Sequence, residues 1–329
     1  MVGGIPLDFN TPSKYFPGDY FIIEGDEYDS AFFEKFPKFL QYAPQILIVN
    51  NIEFDHADIY NTLQEITQQF RFLLRLVPQN GVVIANGDDE IVRDVCQHSW
   101  SPVIYYGTEK RNTVTFVIEQ AEGTFFVEIS DERNNRIRIP MEFPLEGMGY
   151  NMTAAYIAAR EAGISREDIL KGFQEFKGVK RRLEKIFDQD GLIVYDDFAH
   201  HPTAVRITLD AIKQKYPDRP VLAVFEPRSN TSIRNIFVEE YKQALLAADQ
   251  VFLAPAFKKA DVKNEDLLPV GEICNYLNSA GKKASTAEGH EQLFDLCKDS
   301  LPVNGVLVLM SNGSFEPFKS KLLEYLNSG

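Results

Sequence analysis

Between residues 113 and 142 the spacing of the apolar residues changes, and this constrains the fold more than any other feature of the chain. Val114, Phe116 and Ile118 fall on alternate positions, as do Phe125, Val127 and Ile129, and then Ile137 and Ile139. A period of two puts such side chains on one face of a strand. Glu122-Gly123 and Arg133-Asn134-Asn135 supply turns between the runs. The segment therefore predicts a small antiparallel meander with one buried face.

On either side the rhythm is different. Short apolar runs at 20–23, 46–49, 82–85 and 103–106 predict strands, and the spacing over 62–76 and 91–96 predicts helices. Gly147 to Asn151 leads into an alanine-rich helix over 154–162, stopped by Gly163. A second alternation follows, with strands at 192–195, 221–225, 250–254 and 305–310. Helices are expected near 203–215, 234–247, 269–280, 288–298 and 316–327. That is a doubly wound α/β pattern. The basic stretch 176–186 reads as a hinge. The expected fold is α/β in two domains. Residues 1–178 form a mostly parallel sheet with the meander attached, and 179–329 form a Rossmann-like domain.

Composition excludes several classes. With a formal net charge of -14, the chain has no cation excess to neutralise nucleic-acid phosphates. Cys96, Cys274 and Cys297 are odd in number and widely spaced, which fits neither a disulfide framework nor a metal motif and suggests a reducing cytoplasm. No apolar run approaches a membrane span, and the N-terminus does not read as a signal peptide. A nucleotide-dependent dehydrogenase would need a G-x-G-x-x-G after the 192–195 strand, and none is present.

Chemistry-bearing residues gather where strands are expected to end. Leu192 to Tyr195 runs into Asp196 and Asp197, then His200 and His201, and a helical pattern starts at once. In an open α/β sheet, ligands bind at the carboxyl ends of the strands. Glu226-Pro-Arg-Ser-Asn-Thr231 and Ser311-Asn-Gly-Ser314 fall on the same edge. Arg228 there suits bidentate capture of a substrate carboxylate. In the first half, Glu24 (Glu27 as the alternate) and His56 follow strand ends, a carboxylate and an imidazole suited to a divalent cation. Asn86-Gly-Asp-Asp89 suits a purine edge or ribose, and equally a tight turn. Lys180-Arg181-Arg182 suits phosphate, and equally a solvated basic loop.

Taken together, these stretches resemble the Mur ligases. The resemblance rests on Tyr-Phe-Ile-Ile-Glu-Gly-Asp-Glu-Tyr-Asp-Ser-Ala-Phe-Phe, Asn-Asn-Ile-Glu-Phe-Asp-His-Ala-Asp, Gly-Val-Lys-Arg-Arg-Leu-Glu, Asp-Asp-Phe-Ala-His-His-Pro-Thr and Phe-Glu-Pro-Arg-Ser-Asn-Thr. It spans residues 1 to 329 with the motifs in family order. It implies an ATP-dependent amide-bond ligase of peptidoglycan recycling that works through an acyl phosphate, with ATP and Mg²⁺ as cofactors. Its substrates would be UDP-N-acetylmuramate and a peptide, expected to be L-alanyl-γ-D-glutamyl-meso-diaminopimelate. The alternatives are free L-alanine as acceptor and a non-catalytic binding fragment.

By the same resemblance, Glu24 and His56 hold the metal and Asn86 and Asp89 lie in the adenine segment. Arg182, or Arg181, reaches the ATP phosphates, and Asp196 and Asp197 lie over the nucleotide. His200, His201, Arg228 and Asn230 receive the acceptor. His56, Arg182 and His200 are the catalytic candidates. Two departures stand out. The family's Gly-x-His-Asn-x-x-Asn is replaced by Gly147-Met-Gly-Tyr-Asn151, which leaves Asn151 as its second Asn and a nucleotide contact. No lysine lies between Glu53 and Glu109, so a carbamoylated lysine is not available there. The glycine-rich phosphate loop should lie upstream of Gly3-Gly-Ile-Pro6, and no G-x-x-x-x-G-K-[ST] occurs. The expectation is a central ATPase domain lacking its phosphate loop in an N-terminally truncated chain, inactive by itself.

Overall fold

The computed structural model describes residues 3–31, 34–53, 59–132, 135–229, 232–257 and 264–328. Two units separate. One is Met1–Gly3 with Ser13–Phe176, and the other is Gly4–Pro12 with Lys177–Gly329. Residues 4–12 thus pack with the second unit. Leu7 N donates to Gly178 O at 3.0 Å, and Lys180 N donates to Ile5 O at 2.9 Å.

Unit 1 opens with a short antiparallel pair, β1 (Asp29–Ala31) and β2 (Glu34–Pro37). Then come β3 (Ile46–Val49), α1 (Leu63–Leu74), β4 (Val82–Asn86), α2 (Glu90–Cys96) and β5 (Val103–Gly107). The meander follows as β6 (Val114–Ala121), β7 (Thr124–Ser130) and β8 (Arg136–Met141), and α3 (Glu146–Glu161) and α4 (Arg166–Glu175) close the unit. One six-stranded sheet runs in the order β3-β4-β5-β6-β7-β8. It is parallel from β3 to β6 and antiparallel from β6 to β8. The expected alternation is met in register, with Phe116 opposite Ile129 and Ile129 opposite Ile137, all buried. Each such side chain contributes about 1.5–3 kcal/mol on burial. Helix α3 packs close to this face because position 149 is glycine. A Cβ there would come 2.4 Å from the Phe116 ring.

Three expectations for this unit need correction. Residues 20–23 join none of the sheets, and Phe21 and Ile22 are 76% and 78% exposed. An apolar run becomes a strand only where a neighbouring ladder accepts its backbone groups. Helix α3 begins at Glu146, so Gly147 to Asn151 lie inside it instead of leading into it. Helix α4 was not foreseen. Ser165 caps it, its hydroxyl accepting from Asp168 N.

Unit 2 contains β9 (Glu184–Gln189), β10 (Leu192–Asp197), α5 (Pro202–Lys215), β11 (Val221–Phe225), α6 (Val238–Leu245) and β12 (Gln250–Leu253). It continues with α7 (Val270–Ser279), β13 (Lys283–Thr286), α8 (His290–Lys298), β14 (Gly305–Met310) and α9 (Phe318–Ser328). The sheet order is β13-β12-β11-β14-β10-β9. All pairs are parallel except β9 with β10. Every residue of β10, β11 and β14 is buried, as continuous apolar runs in a sheet covered on both faces require. Strands β9 and β13 were missed. They are the two edges, and their sequences, EKIFDQ and KAST, carry the polar residues that edge strands tolerate. Part of the expected hinge is therefore strand β9. Asp190 (φ 51°) and Gly191 (φ 81°) turn it into β10, the two left-handed residues of a tight hairpin. Among the described residues no helix is long and apolar enough to cross a membrane.

Candidate functional site

At the carboxyl edge of the unit 1 sheet, β4 ends in Asn86 and a turn whose centre is Asp88. The Asp88 carboxylate accepts from Thr108 N at 2.5 Å, Thr108 Oγ1 at 2.9 Å, Asn112 Nδ2 at 2.6 Å and Tyr150 OH at 2.7 Å. Burial pushes this carboxyl up, but the donors, Thr108 N–H first, outweigh it and hold it below its usual value. Asn86 and Asp89 serve the same turn. Asn86 Oδ1 accepts from Asp88 N at 3.0 Å, and Asp89 caps α2 by accepting from Ile91 N and Val92 N at 2.8 and 3.0 Å. Beside them Asn50, just past β3, donates to Asn151 Oδ1 at 2.9 Å and accepts from Tyr106 OH at 2.5 Å. Asn151 is exposed at this edge. Sequence reasoning missed Asn50, Tyr106 and Tyr150, whose only signal was their position at strand ends or on α3.

Glu24 is exposed and accepts a hydrogen bond from Gly3 N. His56, its expected partner on a metal ion, lies outside the described residues, as does Asn230. No group of three His, Cys, Asp or Glu spaced for a metal occurs among the described residues.

In unit 2 the arginine pair sits on a strained turn. Arg181 (φ 58°) and Leu183 (φ 47°) are both left-handed without being glycine. Such strain persists only where surrounding contacts over-determine it. Here Asp197 supplies them: it accepts from Leu183 N at 2.7 Å, Ala199 N at 2.8 Å and Thr208 Oγ1 at 3.2 Å. Burial pushes Asp197 above the usual carboxylate value, opposed by these donors and by Arg182. Arg181 turns inward, donating to Ser311 O and lying 3.7 Å from Asp196. Lys319 takes the other Asp196 oxygen at 3.0 Å. Arg182 is left exposed. Both guanidinium groups lie over the Phe198 ring, at 5.1 and 5.4 Å. The two aspartates are thus buried and engaged within the unit, and the residue they present to solvent is Arg182.

The histidines diverge. His201 caps α5, its Nδ1 accepting from Thr203 N at 3.4 Å. His200 Nδ1 lies 3.0 Å from the carbonyl of Phe198. A carbonyl can only accept, so Nδ1 is the donor in this contact, and in the neutral ring the lone pair is then on Nε2. Tyr241 fixes the same loop by donating to His200 O at 2.5 Å.

A cavity of about 370 Å³ opens beyond β11, β12 and β13, lined among others by Glu226, Arg228, Phe257, Glu288 and His290. Three contacts hold Arg228. Its guanidinium lies 4.7 Å from the Phe257 ring centre and 3.6 Å from Glu226, and its stem lies on Gly313, where a Cβ would approach Arg228 Cδ to 2.2 Å. Glu226 accepts from His290 Nε2 at 2.9 Å and from Ser311 Oγ at 2.6 Å. The sequence had placed Arg228 and Ser311 on this edge. His290 went unnoticed because β13, the strand before it, was unseen. The cysteines take no part: all three are buried and free, and burial pushes Cys96 and Cys297 up to about 12.

Comparison with known proteins gives a consistent result. Residues 17–159 match the Mur ligase middle domain, and residues 181–313 match the Mur ligase, glutamate ligase domain. The chain is 33% identical over 334 residues to the UDP-N-acetylmuramate–L-alanyl-γ-D-glutamyl-meso-2,6-diaminoheptandioate ligase of Haemophilus influenzae, covering 99% of this chain and 70% of the relative. It is 30% identical over 330 residues to the UDP-N-acetylmuramate–L-alanine ligase of Chlorobium chlorochromatii, covering 98% and 68%. The crystal structure of a murein peptide ligase from Psychrobacter arcticus superposes with a TM-score of 0.61 at 28% identity, over 99% of this chain and 71% of that one.

Proposed function

This chain belongs to the Mur ligase family, and we propose that it acts as an ATP-dependent ligase joining the carboxylate of UDP-N-acetylmuramate to the amine of L-alanyl-γ-D-glutamyl-meso-diaminopimelate. The observation that carries the acceptor assignment is the cavity that holds Arg228. A tripeptide brings several carboxylates, whereas free L-alanine brings one. A fixed guanidinium takes a carboxylate through two parallel hydrogen bonds.

The chemistry follows from the residues. A donor carboxylate oxygen takes the terminal phosphoryl group of ATP, releasing ADP and leaving an acyl phosphate; the acceptor amine attacks its carbonyl carbon, and phosphate leaves. Arg182, presented by its strained turn, offsets charge on the transferring phosphoryl group. His200 Nε2 takes the proton that the acceptor ammonium must lose before it attacks. Asn151 and Asn50 face the nucleotide, and Asn86 and Asp89 shape the turn beneath it. Asp196 and Asp197 act through the arginine turn that they hold. Mg²⁺ would bind at Glu24 with His56, and when bound it screens the phosphate oxygens. The exposed Glu24 carboxylate accepts a hydrogen bond from Gly3 N and has lone pairs left for a hard cation.

Calorimetric titration tests this reading. The tripeptide should bind more tightly than L-alanine. Arg228→Lys should weaken the tripeptide roughly tenfold, the loss of one charge-assisted contact, and leave binding of ATP unchanged. Tighter binding of L-alanine would transfer the assignment to the L-alanine ligases. Failure to bind either peptide or nucleotide would leave only a non-catalytic role.

A further inference from the structure

In unit 1 a chain of hydrogen bonds has its direction fixed at one end. Tyr106 lies in β5 and is fully buried, its ring edge-on to that of Tyr150 with 6.2 Å between centres. Burial, with Tyr150 and Asp88 nearby, pushes its phenol up, so the hydroxyl keeps its proton. That proton goes to Asn50 Oδ1 at 2.5 Å, the one hydrogen bond this hydroxyl makes among the described residues. Were the Asn50 amide turned over, its Nδ2 would face the hydroxyl and the buried phenol proton would have no acceptor. An unpaired buried donor is the costlier arrangement, so Asn50 keeps its oxygen towards Tyr106.

The direction is then passed on. With its oxygen on Tyr106, Asn50 turns its Nδ2 to Asn151 and donates to Asn151 Oδ1 at 2.9 Å. Asn151, on α3, is therefore held by its own oxygen. What this exposed side chain offers at the sheet edge is its Nδ2, which has no partner among the described residues. A free asparagine amide shows a donor or an acceptor with equal ease. This one shows a donor, and it is set from β5 and the end of β3, 56 and 101 positions apart at the two steps.

We propose that Tyr106 and Asn50 are positioning residues that fix Asn151 as a hydrogen-bond donor to a ring nitrogen of the nucleotide base. The inference rests on the ligase reading and deepens it, because that reading puts Asn151 against the nucleotide without saying what kind of atom it meets. Fixed polarity matters only against an atom that cannot adapt. A ribose hydroxyl rotates to donate or accept, whereas an unprotonated purine ring nitrogen only accepts. An amide facing it the wrong way round would set lone pair against lone pair.

The test is calorimetric titration of the whole chain with ATP and with its 1-deaza, 3-deaza and 7-deaza analogues, each of which replaces one ring nitrogen by C–H. One of the three should bind about three- to tenfold more weakly than ATP, the scale of one net hydrogen bond. Asn151→Ala should abolish that penalty, which assigns the contact. Tyr106→Phe removes only the hydroxyl and keeps the buried ring. Asn50 is then free to turn over, and the penalty should shrink to within about twofold. Asn50→Asp goes further, because a carboxylate only accepts. It takes the phenol proton with one oxygen and Asn151 Nδ2 with the other, so Asn151 shows its oxygen and the penalty should vanish. Any repulsion from the added charge falls on all four nucleotides alike. Asn50 is half-buried just past a strand end, so this variant guards against a folding defect in Tyr106→Phe. A merely structural role would weaken all four nucleotides equally and leave the penalty intact. A penalty that survives in either variant, or equal affinity for ATP and every analogue in the unmodified chain, overturns the inference and leaves the ligase reading standing. Failure of every nucleotide to bind overturns both.

Discussion

Each unit places an aspartate just past or at the end of an interior strand of its sheet, and the two behave oppositely. Asp88 in unit 1 and Asp197 in unit 2 both accept hydrogen bonds from backbone amides and a threonine hydroxyl. Asp88 is half-buried and its donors win, so its carboxyl sits below the usual value. Asp197 is buried and desolvation wins, so its carboxyl sits above it. A shared pattern of amide and threonine donors therefore does not by itself fix a carboxylate's acidity. The balance between the water excluded and the donors gained decides the sign, and Asp88 gains Asn112 and Tyr150 besides its amide and threonine donors. The two serve different ends as well. Asp88 braces a turn of ordinary geometry, whereas Asp197 holds a turn with two left-handed non-glycine residues and thereby presents Arg182.

The largest test of this contrast is Asp197→Ala. It strands two buried amides and a hydroxyl, and it should cost unit 2 about 3–5 kcal/mol. Hydrogen exchange should show β9 and β10 opening first. A cost below about 1 kcal/mol, the scale of a surface change, would show that the strained turn holds without its anchor.

Next comes pH. For Asp88 the folded value is the lower one, so its contribution is complete above the usual unfolded value of about 4 and is lost as pH falls through the folded value. Asp88→Asn should destabilise unit 1 by about 1–2 kcal/mol at neutral pH, with the gap closing in acid. For Asp197 the folded value is the higher one. Its contribution is complete below about pH 4 and declines as pH rises through the folded value. Carboxyl-carbon NMR titration should place the Asp88 midpoint below the usual value and the Asp197 midpoint above it. The reverse order would break the comparison.

The smallest effect compares two hairpin glycines. Gly123 (φ 80°) has open space where a Cβ would go, whereas a Cβ at Gly191 (φ 81°) would lie 2.7 Å from Val303 O. Gly123→Ala should cost about 1 kcal/mol for the left-handed backbone alone. Gly191→Ala should cost more, as urea midpoints would show. Equal costs would mean that the 303 loop yields freely.

Some of this was readable from the chain alone. The meander was legible because alternation survives in any context where one face is buried, and the apolar runs of β10, β11 and β14 were legible because a strand covered on both faces has no side that must be polar. Tyr20 to Ile23 misled because apolarity states a need for burial but supplies no neighbour. β9 and β13 were hidden because edge strands look like polar loops. At the site, the sequence marked Arg228 and the aspartates as residues at strand ends, but not what they touch.

Local pattern thus determined the α/β class, the order of most strands and helices, and the edge on which polar groups collect, because periodicity and capping act within a few residues. Tertiary structure decided the roles. Lys319 reaches Asp196 across 123 positions, Ser311 reaches Glu226 across 85, and His290 reaches it across 64. A carboxylate's partners and its share of water are set by what the fold brings beside it, and no local spacing encodes either.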